Sequence, residues 1–215
     1  CCVLWRLCVC LSVLSVCLSV LSVALALPRT GPTNLQTTPN VSFETAGSKL
    51  TFTAPDRAVL NWNAFGSGAN AVASGDTIAY NLPNANASIL NVVSGGASTT
   101  IDGTLASNGK VYILNPNGII IGGGSRIDTA ALTLSTVDNA FAGQFQYINN
   151  GKLPSETGTR TASGNIVING TSVISADTIT VLTKDIAFNG ALINGNLTIN
   201  ADGAATIGSA NNTVY

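Results

Sequence analysis

Apolar and polar residues alternate in short runs along most of the chain, a pattern that is typical of strands. In the second half the alternating apolar residues are Ile166 and Ile168, Ile179 and Val181, and Leu197 and Ile199. Asn-Gly pairs begin at positions 108, 117, 150, 169, 189 and 194 and separate such runs. The sequence lacks the three-to-four-residue period of a helix, and only Asp138–Gln146 tolerates a short helix or turn. The chain is therefore predicted to be all-β.

The length of the strands decides between hairpins and a solenoid. Asn-Gly between two strands is also the signal of a two-residue hairpin, but many runs here are too short to form a stable hairpin alone. In a solenoid, each short strand pairs with its equivalents one coil above and one coil below. The pattern therefore predicts a right-handed parallel β-helix. The six apolar residues named above should point inward, and Val167, Thr180 and Thr198 outward.

The ends of a β-helix are exposed strand edges, which invite aggregation. Residues 41–65 are expected to cover the N-terminal end as a β cap, and Leu50–Thr53 alternates as a half-buried strand does. At the other end, Asn211–Tyr215 continues the repetitive pattern. We therefore expect the repeat region to continue into a longer protein.

The sharpest turn signal lies at Asn115-Pro116-Asn117-Gly118, between two apolar runs. Proline fixes its own φ and pushes Asn115 toward an extended conformation. Asn117 tolerates a left-handed conformation, and Gly118 takes a positive φ without steric cost. These four residues predict a corner between two strands, with the asparagine amides bonded to backbone groups that the turn leaves unpaired.

Three blocks of sequence carry a resemblance to a known family. They are Asn61-Trp62-Asn63-Ala64-Phe65, the segment Gly103–Tyr112 with its GTL and NGKVY runs, and Asn115-Pro116-Asn117-Gly118-Ile119. With them, residues 40–137 resemble the haemagglutination-activity, or secretion, domain at the N-terminus of filamentous-haemagglutinin-like exoproteins of bacterial two-partner secretion. The NPNG motif alone is weak, whereas three blocks in the right order are a strong signal.

The resemblance implies a function as well as a fold. It implies coils of roughly twenty residues and recognition by a dedicated outer-membrane β-barrel transporter, which would be the partner. It also implies that Asn115, Pro116, Asn117, Gly118 and Ile119 form a secretion motif. The expected route crosses the inner membrane and the periplasm and ends in a secreted or cell-surface protein.

The aromatic block has two interpretations. Asn61, Trp62, Asn63 and Phe65 either form a recognition patch for a receptor or belong to the cap, plugging the open end of the β core. Large aromatic side chains more often fill a core than decorate a surface, which favours the plug.

Composition excludes several classes of function. Charged residues make up 9% of the chain and the formal net charge is −1, so there is no electrostatic case for nucleic acid or an anionic membrane surface. All five cysteines lie within the first 17 residues and histidine is absent. The body therefore has no disulfide framework, no thiolate metal site and no Ser-His-Asp or Cys-His catalysis. No cofactor is expected.

Residues 1–26 have the features of a signal peptide. Arg6 is the one charge, an apolar run follows, and Ala24-Leu25-Ala26 is a small-x-small pattern that predicts cleavage after Ala26. The run also borders on the length of a membrane anchor, which is the alternative. Residues 27–39, with three prolines, are predicted to be an extended linker, and residues 40–215 the β-helix domain.

Three functions from different classes follow. The first is a secretion module recognised by a cognate transporter. The second is an adhesin or haemagglutinin module that binds cell-surface glycans through a face of the β-helix. The third is a β-helix carbohydrate-active enzyme, which would need carboxylates converging on one face. The ten acidic residues form no DxD, DD or ExxD cluster, so the chain is predicted not to be an enzyme.

Overall fold

The structure, a computed structural model, describes residues 32, 33, 35–138, 140–153, 161–207 and 213–214. The predicted signal peptide with its five cysteines, most of the predicted linker, and residues 208–212 lie outside these ranges. Within the ranges described, no helix is long and apolar enough to cross a membrane.

Short strands dominate the described residues. In chain order they are β1 (Leu35–Thr37), β2 (Ser42–Ala46), β3 (Lys49–Thr53), β4 (Ala58–Trp62), β5 (Thr77–Asn81), β6 (Ser88–Val93), β7 (Thr99–Ile101), β8 (Thr104–Ser107), β9 (Lys110–Leu114), β10 (Ile119–Ile121), β11 (Arg126–Asp128), β12 (Ala131–Ser135), β13 (Ile166–Asn169), β14 (Val173–Thr183), β15 (Ile186–Asn189), β16 (Leu192–Ala201), β17 (Ala205–Ile207) and β18 (Thr213–Val214). A 3-10 turn spans Gly68–Asn70, and the helix α1 spans Ala140–Asn150.

The strands stack into three faces. The first runs β1-β4-β6-β9-β12 and continues through the second halves of β14 and β16. The second runs β2-β3-β5-β8-β11 and continues through the first halves of the same two strands to β18. The third is β7-β10-β13-β15-β17. A register shift between Ser175 and Thr178 marks the corner at which β14 passes from the second face to the first.

Parallel pairing between successive coils confirms the predicted parallel β-helix. On the third face, Ile119 pairs with Thr99 of the coil before and with Ile166 of the coil after. Ile166 pairs in turn with Ile186, a step of about 20 residues along the chain. The larger step from Ile119 to Ile166 accommodates the excursion that contains α1.

The core is a continuous set of stacked apolar side chains. Ile101, Ile121, Ile168 and Phe188 follow one another in register through four coils, and each is buried. The residues predicted to point inward are buried in β13 and β14 and partly buried in β16, where they pack against the same core. Thr198, predicted to point outward, is exposed.

The N-terminal cap is smaller than the sequence predicted. Its antiparallel strands are β1, paired with β4, and β2, paired with β3. Strands β3 and β4 already pair in parallel with β5 and β6, so they belong to the first coil and not to the cap. The predicted cap of residues 41–65 is therefore wrong in its bounds, and the predicted linker extends too far, because residues 35–37 bond to the open edge of β4.

Aromatic side chains fill the first coils. Trp62 and Phe65 are 1% and 0% exposed, and their ring centroids lie 4.9 Å apart. Phe52 packs edge-on against Trp62 and stacks on Tyr80. The burial of these two side chains is what the plug interpretation predicts. Neither ring is accessible to a receptor in the folded chain, and recognition through the aromatic block stays a prediction.

A buried asparagine lies among these rings. Asn91 is 0% exposed, and its Oδ1 accepts hydrogen bonds from Trp62 Nε1 at 3.0 Å and from the Tyr80 hydroxyl at 2.7 Å. Its Nδ2 donates to the carbonyl oxygen of Tyr112. Three successive coils are thus joined by one amide. Burial also raises the pKa of Tyr80 well above its usual range, so the hydroxyl stays a donor.

One excursion leaves the fourth coil, between β12 and β13. The sequence pattern allowed a short helix only at Asp138–Gln146, whereas α1 spans Ala140–Asn150. The helix extends farther because Tyr147, near its end, is buried against the sheet. Lys152–Ser163 was expected to be a hairpin or loop; its residues 154–160 lie outside the described ranges. Ala162 pairs with Val137, which closes the base of the excursion.

Replacing Asn91 by Ala should destabilise the fold. The substitution leaves the Trp62 and Tyr80 donors buried without an acceptor, which should lower the free energy of unfolding by about 2–4 kcal/mol. Chemical denaturation measures this change. Asn86→Ala is the control, because Asn86 is exposed, and it should change the free energy by less than about 0.5 kcal/mol. Equal effects of the two substitutions would show that the buried amide does not support the core.

Candidate functional site

The predicted secretion motif forms the corner between β9 and β10, that is, between the first and third faces. Asn115, Gly118 and Ile119 are buried, Pro116 is half-buried, and Asn117 is exposed. The folded domain therefore presents one exposed side chain of the motif to its surroundings.

The Asn115 side chain bonds to the preceding coil and to its own corner. Its Nδ2 donates to the carbonyl oxygen of Ala97 at 3.0 Å and to Thr99 Oγ1 at 2.9 Å. Its Oδ1 accepts from the backbone N–H of Asn117 at 3.0 Å. Every hydrogen-bonding direction of this buried amide is thus used, as burial of a polar group requires.

The second half of the corner also bonds to the preceding coil. Asn117 Nδ2 donates to the carbonyl oxygen of Gly95 at 2.6 Å, and the Gly118 carbonyl oxygen accepts from Thr99 N–H at 3.0 Å. Gly118 has φ 114°, and Asn117 has no positive φ, so the left-handed residue of the corner is the glycine. A side chain at Gly118 would be strained by that backbone conformation.

The following coils close over the other side of the corner. Asn115 N–H donates to the carbonyl oxygen of Ser135, and Ile119 N–H donates to that of Asn165. A Cβ on Gly164 would lie 2.5 Å from Gly118 N and 2.6 Å from the Pro116 carbonyl oxygen. Gly164 therefore allows the two corners to touch. The sequence signal was present, since Gly164-Asn165 directly precedes a strand, but only the stacking reveals which corner needs the glycine.

The two predicted motifs meet at Gly95. Its carbonyl oxygen accepts from Asn117, and a Cβ on Gly95 would overlap the carbonyl oxygen of Asn63. Asn63 is exposed, and Asn61 is half-buried in β4, where it pairs with Gln36 of the cap. The aromatic block and the NPNG corner thus lie in the first and third coils of the same stack, with Gly95 of the second coil between them. Their contacts with Gly95 help to set how these three coils sit on one another.

Two clefts among the described residues contain carboxylates. The first, of about 770 Å³, lies between the end of α1 and the first face, and Asp56 is the one carboxylate that lines it. Asp56 accepts from Ser88 and forms an ion pair with Arg57. The second cleft contains Asp128 and Asp177, both exposed, and Asp128 is paired with Arg126. Among the described residues, no group of three His, Cys, Asp or Glu side chains could hold a metal ion.

Comparison with known families identifies the class of protein. Residues 35–214 match the TPS secretion domain family. The chain belongs to that family, whose members are the N-terminal domains that target large exoproteins of two-partner secretion to an outer-membrane transporter. This is a family of secretion domains and not of enzymes, and its exoproteins are exported to be secreted or attached to the cell surface. The match begins at β1, where the structure places the start of the cap.

Two curated relatives are both named heme/hemopexin-binding protein. One, from Haemophilus influenzae (strain ATCC 51907 / DSM 11121 / KW20 / Rd), is 38% identical over 100 residues, which is 46% of this chain and 10% of the relative. The other, also from Haemophilus influenzae, is 36% identical over 96 residues, covering 44% of this chain and 10% of the relative. The chain thus matches about a tenth of the length of these relatives.

A solved structure has the same fold. The HMW1 secretion domain from Haemophilus influenzae superposes with a TM-score of 0.62 and 22% sequence identity, covering 80% of this chain and 45% of that one. The similarity agrees with the β-helix that the strand pairing defines.

A side chain at position 164 should disrupt the stacked corners. In Gly164→Ala the new Cβ would clash with backbone atoms of Pro116–Gly118, which cannot rotate away, so the free energy of unfolding should fall by about 2–4 kcal/mol. Gly96→Ala is the matched control, because a Cβ there would meet no atom within 4 Å. Denaturation of both variants measures the difference. A tolerated alanine at position 164 would contradict the contact between corners.

Proposed function

We propose that the outer-membrane transporter handles this domain before the Asn115 corner has formed, after the chain has crossed the inner membrane and the periplasm. The observation that carries the proposal is the burial of the motif. Asn115, Gly118 and Ile119 are enclosed in the folded domain, so a transporter reading the folded surface would meet mainly Asn117. The motif would then affect secretion through the fold that it stabilises after export, and not as a surface that the transporter reads.

The corner then acts by joining coils outside the cell. Its hydrogen bonds reach back to Gly95, Ala97 and Thr99 and forward to Ser135 and Asn165. They are complete only after about 70 residues of chain have come together, a long separation for a folding contact. Formation of this network would therefore follow export and would hold the exported chain in its coiled form.

The absence of cysteine after residue 17 supports export of a chain that carries no disulfide bonds. All cysteines lie in the first 17 residues, within the predicted signal peptide, so no disulfide can form in the body while it resides in the oxidising periplasm. A chain without such bonds can still be threaded. Stability after export must come from core packing and backbone pairing, which is what the stacked coils provide.

We assign ligand binding to other parts of the exoprotein. The relatives are named for heme and hemopexin, but the usual protein ligands of haem iron are His, Cys, Met and Tyr. This chain has no His or Met, and its cysteines lie within residues 1–17. Of its tyrosines, Tyr80 and Tyr147 are fully buried. Between export and binding to cell-surface glycans or receptors, export is the function that the buried motif favours.

A corner variant should be poorly exported. Replacing Asn117 and Gly118 together by Ala removes the bond to Gly95 and strains the backbone at φ 114°. Co-expressed with the cognate transporter, this variant should appear in the medium at a severalfold lower level than the parent, because a destabilised exported domain is degraded. Immunoblotting of medium and periplasm measures the distribution.

The control for this experiment keeps the number of substitutions the same. Thr180→Ala with Thr198→Ala changes two outward positions on the first face and should leave secretion at the parental level. If the corner variant were secreted as well as the parent, residues 115–119 would be an ordinary turn, and the secretion motif would lie elsewhere in the domain.

A further inference from the structure

The excursion that contains α1 leaves and rejoins the β-helix at adjacent points. Val137 pairs with Ala162, Asp138 N–H donates to the Thr161 carbonyl oxygen at 3.1 Å, and Ser163 N–H donates to that of Thr136 at 3.2 Å. These bonds close the base of the excursion without help from the helix. We refer to residues 140–153, which lie beyond this base, as the strap.

The strap covers apolar side chains that point away from the core. On the first face Val59, Leu90, Val92, Tyr112 and Leu114 form a cluster with Tyr147 and Leu153 of the strap, separate from the main core. The Tyr112 and Tyr147 ring centroids lie 5.3 Å apart. We refer to the five covered side chains as the outer patch.

The sequence of the first face changes where the strap ends. Leu90, Tyr112, Thr133, Thr180 and Thr198 occupy one outward row in register through successive coils. The row is apolar or aromatic beneath the strap and becomes threonine in the coils beyond it. Outward positions of a solenoid normally face water, so this change marks the patch as a surface built to be covered.

A small set of polar contacts anchors the end of the strap. Arg57 Nη1 donates to the carbonyl oxygens of Ile148 at 3.1 Å and Asn149 at 2.9 Å, which lie at the C-terminus of α1. The positive charge of Arg57 also lies at the negative end of the helix dipole, which is a favourable interaction. Arg57 itself has φ 58°, an unfavourable backbone conformation for a residue with a side chain. The Tyr112 hydroxyl adds a long bond of 3.4 Å to Gly151.

Other features weaken the closed strap. The Tyr147 hydroxyl is enclosed and makes no hydrogen bond of good geometry; Ser88 lies beside it, but its hydroxyl donates to Asp56. A buried polar group without a partner opposes burial. Ile148 is 46% exposed, and an isolated helix of 11 residues is marginal in water. The strap therefore depends on its contacts with the patch and on Arg57.

We propose that the strap opens and closes over the outer patch as a unit, while the β-helix stays folded. The strap follows all five patch residues in the chain, so the patch is bare until the strap closes on it. Closing then covers a contiguous apolar surface of the first face. The strap is thus a conformational device that hides this apolar surface of the domain.

Native-state hydrogen exchange on the full chain tests this proposal. Amides of residues 144–153 should exchange through a local opening, with little dependence on low denaturant concentrations, whereas β9 and β12 should exchange only with global unfolding. Arg57→Ala keeps the backbone and removes the anchor, and should speed exchange in the strap by roughly two- to tenfold. Exchange in β9 and β12 should not change, and binding of an apolar dye should increase.

Arg126→Ala is the matched control. Arg126 is also a half-exposed arginine paired with a nearby aspartate, but it has no bond to the strap. Its substitution should leave exchange in the strap unchanged. The proposal is overturned if the strap and β9 exchange at the same rate with the same denaturant dependence. It is also overturned if Arg57→Ala accelerates both regions equally.

Discussion

The structure depends on in-register stacking of inward side chains between coils. Strands of three residues such as β7 and β10 have no stability of their own, and each is held by equivalents above and below it. The row Ile101, Ile121, Ile168 and Phe188 shows how this works: each side chain is buried by its neighbours along the stack. Stability is therefore shared between adjacent coils, and an error in one coil is transmitted to the next.

Stacking of apolar side chains alone does not fix the register between neighbouring coils. Buried polar residues with partners in adjacent coils fix it. The buried side-chain amide of Asn115 is satisfied only if the coil before it is in the observed register, and its backbone N–H only if the coil after it is. Asn91 does the same inside the first coils, between Trp62 and Tyr80. Because a buried amide without partners is unfavourable, each of these residues disfavours a shifted register.

Much of this arrangement could be predicted from local sequence. The period-two pattern identified the inward residues of β13 and β14, and the turn chemistry of Pro116 and Gly118 located the corner. The bounds of the cap could not be predicted, because β3 and β4 become parallel strands only through pairing with β5 and β6, farther along the chain. The need for glycine at position 164 is likewise set by the remote Pro116–Gly118 backbone.

The outer patch shows a second limit of pattern-based prediction. Every residue of β6 is buried, so its two sides cannot be told apart by hydrophobicity alone. Ile89 and Val93 face the core, whereas Leu90 and Val92 lie beneath the strap. Asn91, a polar residue at an inward position, was the available signal that this strand is unusual. Its meaning depends on Trp62 and Tyr80, which lie on other strands.

The central claim is that the Asn115 corner serves secretion through the fold that it stabilises. The direct test measures both secreted amount and free energy of unfolding for two sets of variants, one at the corner and one in the core at Ile121 and Ile168. If the claim holds, both sets fall on one curve, with secretion decreasing as stability decreases. Corner variants that are secreted far less than core variants of equal stability would contradict it, since the transporter would then be reading these residues directly.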